Sequence, residues 1–330
     1  MKVLITGGAG FIGSATAKQL MDRGDRVALI DNFNDYYDPQ LKRDRIKIFL
    51  KGYRGKPARN ASRNDAGTFT LYTGDIRDVK FLEKVFTKER PDKVIHLAAM
   101  AGVRNSLEHP ALYADINIMG TVNLLELSVK HKIKNFVYAS SSSVYGNNKK
   151  FPFSEKDNVD TPISPYAATK KADELLAHVY SHIYKLPTTG LRYFTVYGPW
   201  GRPDMALFLF TKNIFFGKPI LVNNHGKMSR NFTYVDDIAS GTIRTLDADL
   251  PYAVMNIGGD RENTLLEFIG EIEKNVGKKA KMKMMPLPPG DVISTVADIK
   301  KLRKMGWKPT TRIDKGIKNF VEWYREYYKA

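Results

Sequence analysis

Three glycines spaced three apart, Gly7, Gly10 and Gly13 in "LITGGAGFIG", stand between an apolar run and an amphipathic one. Glycine turns tightly and lets other atoms approach its backbone, so this spacing predicts a strand, a sharp turn and a helix packed closely on one another. The alternation continues through the first half of the chain. The Val- and Ile-rich runs "KVLIT", "RVALID", "FTLYTGD", "KVIHLAA" and "NFVYASS" read as strands, and the segments around 12–23, 78–89, 111–131 and 166–184 read as helices. Strands apolar on both faces and separated by helices predict an α/β fold with a doubly wound parallel sheet of the Rossmann type. Past residue 190 the pattern loosens into short strands, "ILV", "VMNIG" and "MKMMPL", cut by glycine and proline turns. Helical spacing returns at Ile317, Phe320, Val321 and Tyr324. The expected organisation is a Rossmann-type domain over 1–190 and a smaller mixed α/β domain over 191–330, with interleaved segments.

Composition narrows the function. With 330 residues, 43% of them hydrophobic, the chain can bury a substantial core. It has no cysteine, which excludes disulfides, thiolate catalysis and cysteine-ligated metals. "MKVLITGGAG" lacks the features of a signal peptide, and no apolar run approaches the ~20 residues that span a bilayer, so a soluble cytoplasmic protein is expected, without membrane partners. The formal net charge of +17 is uneven: nine Lys or Arg and a single acid, Asp44, fall between Lys42 and Asn64. The stretch "KGYRGKPARNASRNDAG" there is polar and poor in apolar residues, which reads as a solvated loop. A basic patch without a base-reading motif predicts no nucleic-acid partner. The six histidines show no metal-ligand spacing, and His96, at the end of a buried strand, reads as a packed residue, so no metal is expected.

A glycine turn that feeds a helix amino terminus surrounds a pyrophosphate with backbone N–H groups, so the amino-terminal motif predicts a dinucleotide site rather than a simple turn. Asp31 ends "VALID", where a carboxylate accepts hydrogen bonds from the adenosine ribose and repels a 2′-phosphate; this selects NAD over NADP. Asp75 and Ile76 in "GDIRD" are the candidate adenine contacts. Farther on, "SPYAATKKADELL" sets Tyr166 and Lys170 four apart, behind Ser164 as N-cap and Pro165 in the first turn. Residues at that spacing share a helix face, so an ammonium stabilises a tyrosinate and prepares it for general-base work. Ser141, in "ASSSSVYG", ends a strand 25 residues earlier.

These three elements together resemble the extended short-chain dehydrogenase/reductase superfamily, over essentially the whole chain. The resemblance implies that Tyr166 is the acid/base, that Lys170 tunes it and holds the nicotinamide ribose, and that Ser141 hydrogen-bonds the reacting oxygen. It also implies NAD contacts from Phe11, Ile12, Asn32, Leu97, Ala98, Ala99 and Tyr193, beside those already named. The first domain would then bind NAD and carry the chemistry, and the second would mainly bind substrate. The stretches "DNFNDYYDPQLKRDR", "HLAAMAGVRNSLEHP", "NHGKMSRNFTYVDDI" and "PLPPGDV" are similar to the sugar-nucleotide 4-epimerases. That similarity implies a UDP-sugar substrate met by Arg104, Ser141 and Ser142, with Arg230 at the pyrophosphate and Asp291 at the uridine ribose, and a homodimer formed through two helices per subunit.

In galactose-type epimerases asparagine follows "RYF"; this chain has Thr195 and then "VYGPWGRPDMA", similar to the UDP-glucuronate 4-epimerases. The forked guanidinium of Arg202 suits a carboxylate, and a neutral C6 hydroxyl needs no such partner. Arg202 could instead pair with Asp204 in a surface turn. The implied reaction is C4 oxidation by tightly bound NAD, rotation of the 4-keto sugar and reduction on its other face. NAD is regenerated in each turnover. A 4-keto uronate loses its carboxylate when the C5–C6 bond aligns with the ketone π system, and a clamp by Thr195 and Arg202 would hold that bond out of alignment. Related dehydrating and decarboxylating enzymes usually carry acids just after the catalytic Ser or Thr, whereas Ser142 and Ser143 occupy those positions here, which favours epimerisation. A UDP-glucose or UDP-N-acetylglucosamine 4-epimerase and a UDP-glucuronate decarboxylase are the alternatives; a silent NAD-binding module conflicts with the intact Ser, Tyr and Lys. Met100 stands where uronate epimerases commonly carry Gln.

Overall fold

A computed structural model describes residues 1–49, 62–63, 69–288 and 290–330. Seven parallel strands form its main sheet: β1 Lys2–Thr6, β2 Arg26–Asp31, β3 Phe69–Thr73, β4 Lys93–His96, β5 Asn135–Ser141, β6 Thr188–Tyr193 and β7 Tyr252–Ile257. Their spatial order is β7-β6-β5-β4-β1-β2-β3, and Ser62–Arg63 adds a short antiparallel strand beside β3. The long helices are α1 Phe11–Asp22, α2 Pro39–Phe49, α3 Val79–Glu89, α4 Gly120–Lys130, α5 Pro165–Tyr184, α6 Ala206–Phe215, α7 Val235–Asp247, α8 Leu265–Val276 and α9 Ile313–Tyr328.

Alternate residues of each strand serve two cores. Val3 and Ile5 join Ala17 and Leu20 of α1 and Ile238 and Leu246 of α7. Leu4, pointing the other way, joins Leu82 and Phe86 of α3, Leu124 of α4 and Ala177 of α5. Burial on both faces explains why these strands read as unbroken apolar runs. From β1 the chain winds outward through β2 and β3, then crosses back to place β4 on the other side of β1. A crevice opens at such a reversal, outside the carboxyl ends of the strands.

The later part of the chain is less separate than its looser pattern suggests. "VMNIG" lies in β7, which closes the main sheet against β6 in register from Tyr252↔Thr188 to Ile257↔Tyr193. A third core joins Phe208 and Ile214 of α6, Phe268 and Ile272 of α8, and Phe320 and Tyr324 of α9. The basic segment from Lys42 begins within α2, where Lys42 and Arg45 are buried rather than part of a solvated charge patch. Residues 50–61 and 64–68, which hold most of the stretch read as a loop, lie outside the described residues. No helix among the described residues is long and apolar enough to cross a membrane.

Candidate active site

At the carboxyl ends of the strands lies a cavity of about 1030 Å³, large for one small ligand and wide enough for a dinucleotide beside a second molecule. Every residue named from the sequence as a cofactor, catalytic or substrate contact lines it, from Gly7 after β1 to Asp291 near the chain's end.

On the cofactor side, Gly7 takes a left-handed φ of +67°, and a Cβ on Gly13 would stand 2.2 Å from the Gly7 carbonyl oxygen. Helix and strand therefore approach as closely as backbones allow. Gly10 precedes α1 and no side chain caps the first turn, so its N–H groups face the cavity at Phe11, Ile12 and Gly13, where an anion is favoured. Asp31 ends β2 and accepts from Ala9 N at 3.0 Å and Phe33 N at 2.9 Å, which leaves carboxylate lone pairs for ribose hydroxyls. Asn32 donates to Asp75 at 3.1 Å, and Asp75 also pairs with Arg77, so this candidate adenine contact is a fixed ion pair beside Ile76. Leu97, Ala98 and Ala99 form the wall beyond β4. These groups fit NAD: an uncapped helix start, a glycine cradle and a ribose-facing acid.

The catalytic candidates meet where β5 and α5 face each other. Ser164 caps α5 by accepting from Ala167 N at 3.1 Å, and Pro165 follows it. Tyr166 is half-buried and Lys170 buried; both line the cavity. Ser141 accepts from Ser143 N and donates to Ser143 Oγ, each at 3.1 Å, and Ser142 begins the short turn that follows. Lys170 Nζ donates to Asp173 at 3.1 Å, with both side chains almost wholly buried. Burial pushes the Asp173 carboxyl up to about 6 against the pull of Lys170. His96 sits between Thr6 Oγ1 at 2.7 Å and Thr121 Oγ1 at 3.1 Å, and burial, helped by the Lys170 charge, pushes it down to about 3, so it stays neutral and packed.

Two further devices support this set. Beneath it, Glu174 accepts from Ser140 Oγ at 2.6 Å and from Arg192 Nε at 2.8 Å and Nη2 at 2.7 Å. The pair thus joins α5 to the residues adjoining Ser141 and Tyr193. Beside it, Ala114–Met119 forms a π-helical turn that aims Asn117 inward. Asn117 accepts from Met100 N at 2.7 Å and donates to Met100 O and Thr169 Oγ1, each at 3.0 Å, tying the 97–102 wall to α5. A lone asparagine in an amphipathic stretch carries no sequence signal for this; for Asp173 the signal was the i,i+3 spacing from Lys170.

The substrate side revises several expectations. Tyr193 lines the cavity, yet its hydroxyl turns away to Thr242 Oγ1 at 2.8 Å, so it presents its ring. Arg202 does have a protein acid: Nε and Nη2 bind the two Asp204 oxygens at 3.0 and 2.5 Å. It nevertheless lines the cavity with Thr195, its guanidinium 5.6 Å from the Tyr36 ring. Arg230 donates to three backbone carbonyls, of Ser229, Val292 and Ile293, and so fastens the 291–293 strap besides lining the cavity. Asp291 pairs with Arg104 at 2.8 Å across the mouth, so these two predicted substrate contacts meet each other.

The profile of the NAD dependent epimerase/dehydratase family matches residues 3–258. Protein CapI of Staphylococcus aureus is 49% identical over the whole of both chains. UDP-glucuronate 4-epimerase 1 of Arabidopsis thaliana is 45% identical, over 99% of this chain and 77% of its own. The crystal structure of the UDP-glucuronic acid 4-epimerase from Bacillus cereus, in complex with UDP-glucuronic acid and NAD, superposes with a TM-score of 0.90 at 34% identity, covering 99% of this chain and 100% of that one.

The clash at Gly13 yields a direct expectation. Purified Gly13→Ala protein should retain its far-UV circular dichroism but carry little NAD, measured by acid release, because the new methyl displaces the Gly7 carbonyl. An NAD content equal to that of the wild type would show that the loop tolerates the displacement.

Proposed function

The chain belongs to the NAD dependent epimerase/dehydratase family and is an NAD-dependent nucleotide-sugar 4-epimerase, and from that premise we propose that it converts UDP-glucuronate to UDP-galacturonate. The observation that carries the choice of sugar is Arg202. Asp204 holds one edge of its guanidinium, and among the described residues Nη1 makes no hydrogen bond, so the residue offers a fixed, charged donor to the cavity beside Thr195. A neutral C6 hydroxymethyl group gives such a donor no counter-charge.

In this reading Tyr166 as phenolate removes the proton of the 4-hydroxyl, Lys170 stabilises the phenolate, and Ser141 hydrogen-bonds the oxygen that becomes a ketone. NAD, held by the Gly7–Gly13 loop and Asp31, would supply the hydride acceptor and donor for C4, and inversion requires the 4-keto sugar to turn over between the two transfers. Tyr166 then gives its proton back to the oxygen. Asp173 holds the buried Lys170 side chain in place by accepting from its Nζ. Thr195 and Arg202 hold the carboxylate so that the C5–C6 bond stays out of line with the ketone π system, which protects the intermediate from losing CO2. No carboxylic acid follows Ser141 to assist that loss; Ser142 and Ser143 do.

The reading includes a homodimer. Leu175, Val179 and Ile183 recur every four residues on α5 and are 57%, 44% and 59% exposed, an apolar stripe more extensive than a solvated helix needs. Met119, 50% exposed, extends it on the segment packed against α5.

Four measurements test these statements. UDP-glucuronate, UDP-glucose and UDP-N-acetylglucosamine are offered in turn and the products separated; faster turnover of the neutral sugars, or UDP-xylose as main product, sinks the substrate reading. Arg202→Met should lower kcat/KM for UDP-glucuronate by about 100-fold and any UDP-glucose turnover far less, and equal losses remove the clamp. Asp173→Asn removes the carboxylate that holds Lys170 Nζ in place, so kcat should fall about tenfold with KM within about twofold of wild type; an unchanged kcat means that Asp173 only fills space. Sedimentation should give twice the 37.4 kDa chain mass, and Val179→Asp should halve it; a wild type that sediments as a monomer ends the dimer proposal.

A further inference from the structure

Arg45, on α2, is fully buried, yet it belongs to neither the cofactor set nor the substrate set. Its Nε and Nη2 both donate to the Trp200 carbonyl, at 3.0 and 2.6 Å, while Nη1 donates to the Ala9 carbonyl at 3.2 Å and the Tyr37 hydroxyl at 2.6 Å. One guanidinium therefore bridges the glycine loop, through Ala9, and the Gly-Pro-Trp-Gly turn two residues before Arg202. Among the described residues it forms no ion pair with a carboxylate. A permanently charged group buried among neutral acceptors is costly and persists where its geometry serves something else.

We propose that Arg45 is a positioning residue for the sugar site: its fork fixes the turn at Trp200, and hence Arg202, in register with the cofactor loop. This rests on the reading that Arg202 faces the sugar. Trp200 is held at φ +65°, a conformation bulky residues avoid unless their surroundings enforce it. Its ring is enclosed by Trp323 and Tyr327 of α9, at centroid distances of 5.0 and 4.9 Å, and its carbonyl is drawn inward by two of the four Arg45 bonds. The glycine loop has other ties: Ala9 N to Asp31, Gly8 N to the Ile30 carbonyl and Gly10 N to the Gly7 carbonyl. When the fork is lost, the Trp200 carbonyl loses two donors and the Ala9 carbonyl one, so the larger displacement falls on the Trp200 side. A lysine carries the same charge but has one donor centre, which cannot reach both carbonyls in fixed geometry.

The experiment compares wild type, Arg45→Lys and Tyr37→Phe, the last removing a single bond to the guanidinium. KM is measured for whichever UDP-sugar the wild type turns over best, Kd for UDP, which lacks the sugar, and the NAD content of the purified protein. Arg45→Lys should raise the sugar-nucleotide KM about tenfold while leaving Kd for UDP and the NAD content within about twofold of wild type. Tyr37→Phe should move the ratio of KM to Kd in the same direction by less. KM and Kd rising together, loss of NAD, or an unchanged ratio in Arg45→Lys overturns the proposal; if that variant is insoluble, an unchanged ratio in Tyr37→Phe does so. Because the substrate is chosen by the wild type, failure to act on UDP-glucuronate overturns the uronate reading and leaves the role of Arg45 measurable.

Discussion

The buried pair of Glu174 and Arg192 is the constraint on which the catalytic end of the sheet depends. Removing two charges from water costs several kcal/mol per ion unless their hydrogen-bonding capacity is filled. Here it is filled from several directions: Ser140 donates to Glu174, Arg192 donates to the Tyr145 hydroxyl at 3.0 Å, and Tyr145 donates to Asn256 at 2.7 Å. The Tyr145 ring also lies 4.9 Å below the guanidinium. Strands β5, β6 and β7 and helix α5 are thereby locked in one relative position. Slippage of α5 or β6 would leave a charge buried and unpaired, at a cost of about 3–5 kcal/mol, and slippage of β5 or β7 would leave a buried polar group short of a partner. Ser141, Lys170 and Tyr193 inherit their placement from this lock, because each neighbours one of its members in sequence or on the helix.

A second organising feature is that the cavity is enclosed by contacts between distant parts of the chain. Arg104 meets Asp291 across its mouth, Arg230 fastens the strap from Val292, and the Tyr36 hydroxyl reaches Asp204 at 3.3 Å. Several of these side chains are charged, and the resemblance to sugar-nucleotide 4-epimerases marked Arg104, Arg230 and Asp291 as ligand contacts. In the structure they neutralise one another or bind backbone carbonyls. The cavity wall thus carries fewer unpaired charges than its residue list suggests, and Arg202 differs in that its Nη1 makes no hydrogen bond among the described residues.

Much of this was legible in the sequence, and for physical reasons. Buried parallel strands have to be apolar on both faces, a helix amino terminus at a close turn requires glycine, and a Tyr–Lys pair that shares a helix face has to be spaced by one turn. Such local rules placed β1 to β5, α1 and the Tyr166 and Lys170 pair, and the family resemblance added Ser141 and the cavity wall; β6, Thr188–Tyr193, was not read as a strand. What the sequence concealed depends on partners far along the chain. Lys42 and Arg45 looked like part of a solvated basic run, since nothing local shows that Trp200 and Ala9 supply the acceptors that bury Arg45. β7 looked like one more short strand because its partner is 64 residues earlier in the register Tyr252↔Thr188. Asp204 was visible beside Arg202, but only the folded turn shows that the pairing and the cavity-facing position coexist.

The position of β7 bears on how the chain is made. Until residues 252–257 leave the ribosome, β6 has an unpaired edge and Tyr145 lacks the Asn256 acceptor that completes the buried network. An exposed edge in a partly made parallel sheet invites mispairing, and contacts across such sequence distances form slowly. The nucleotide-binding half therefore cannot mature as an autonomous unit ahead of the rest. Its last sheet partner arrives after Thr195, Arg202 and Arg230 and before Asp291, so neither side of the cavity is complete before the other has begun to form.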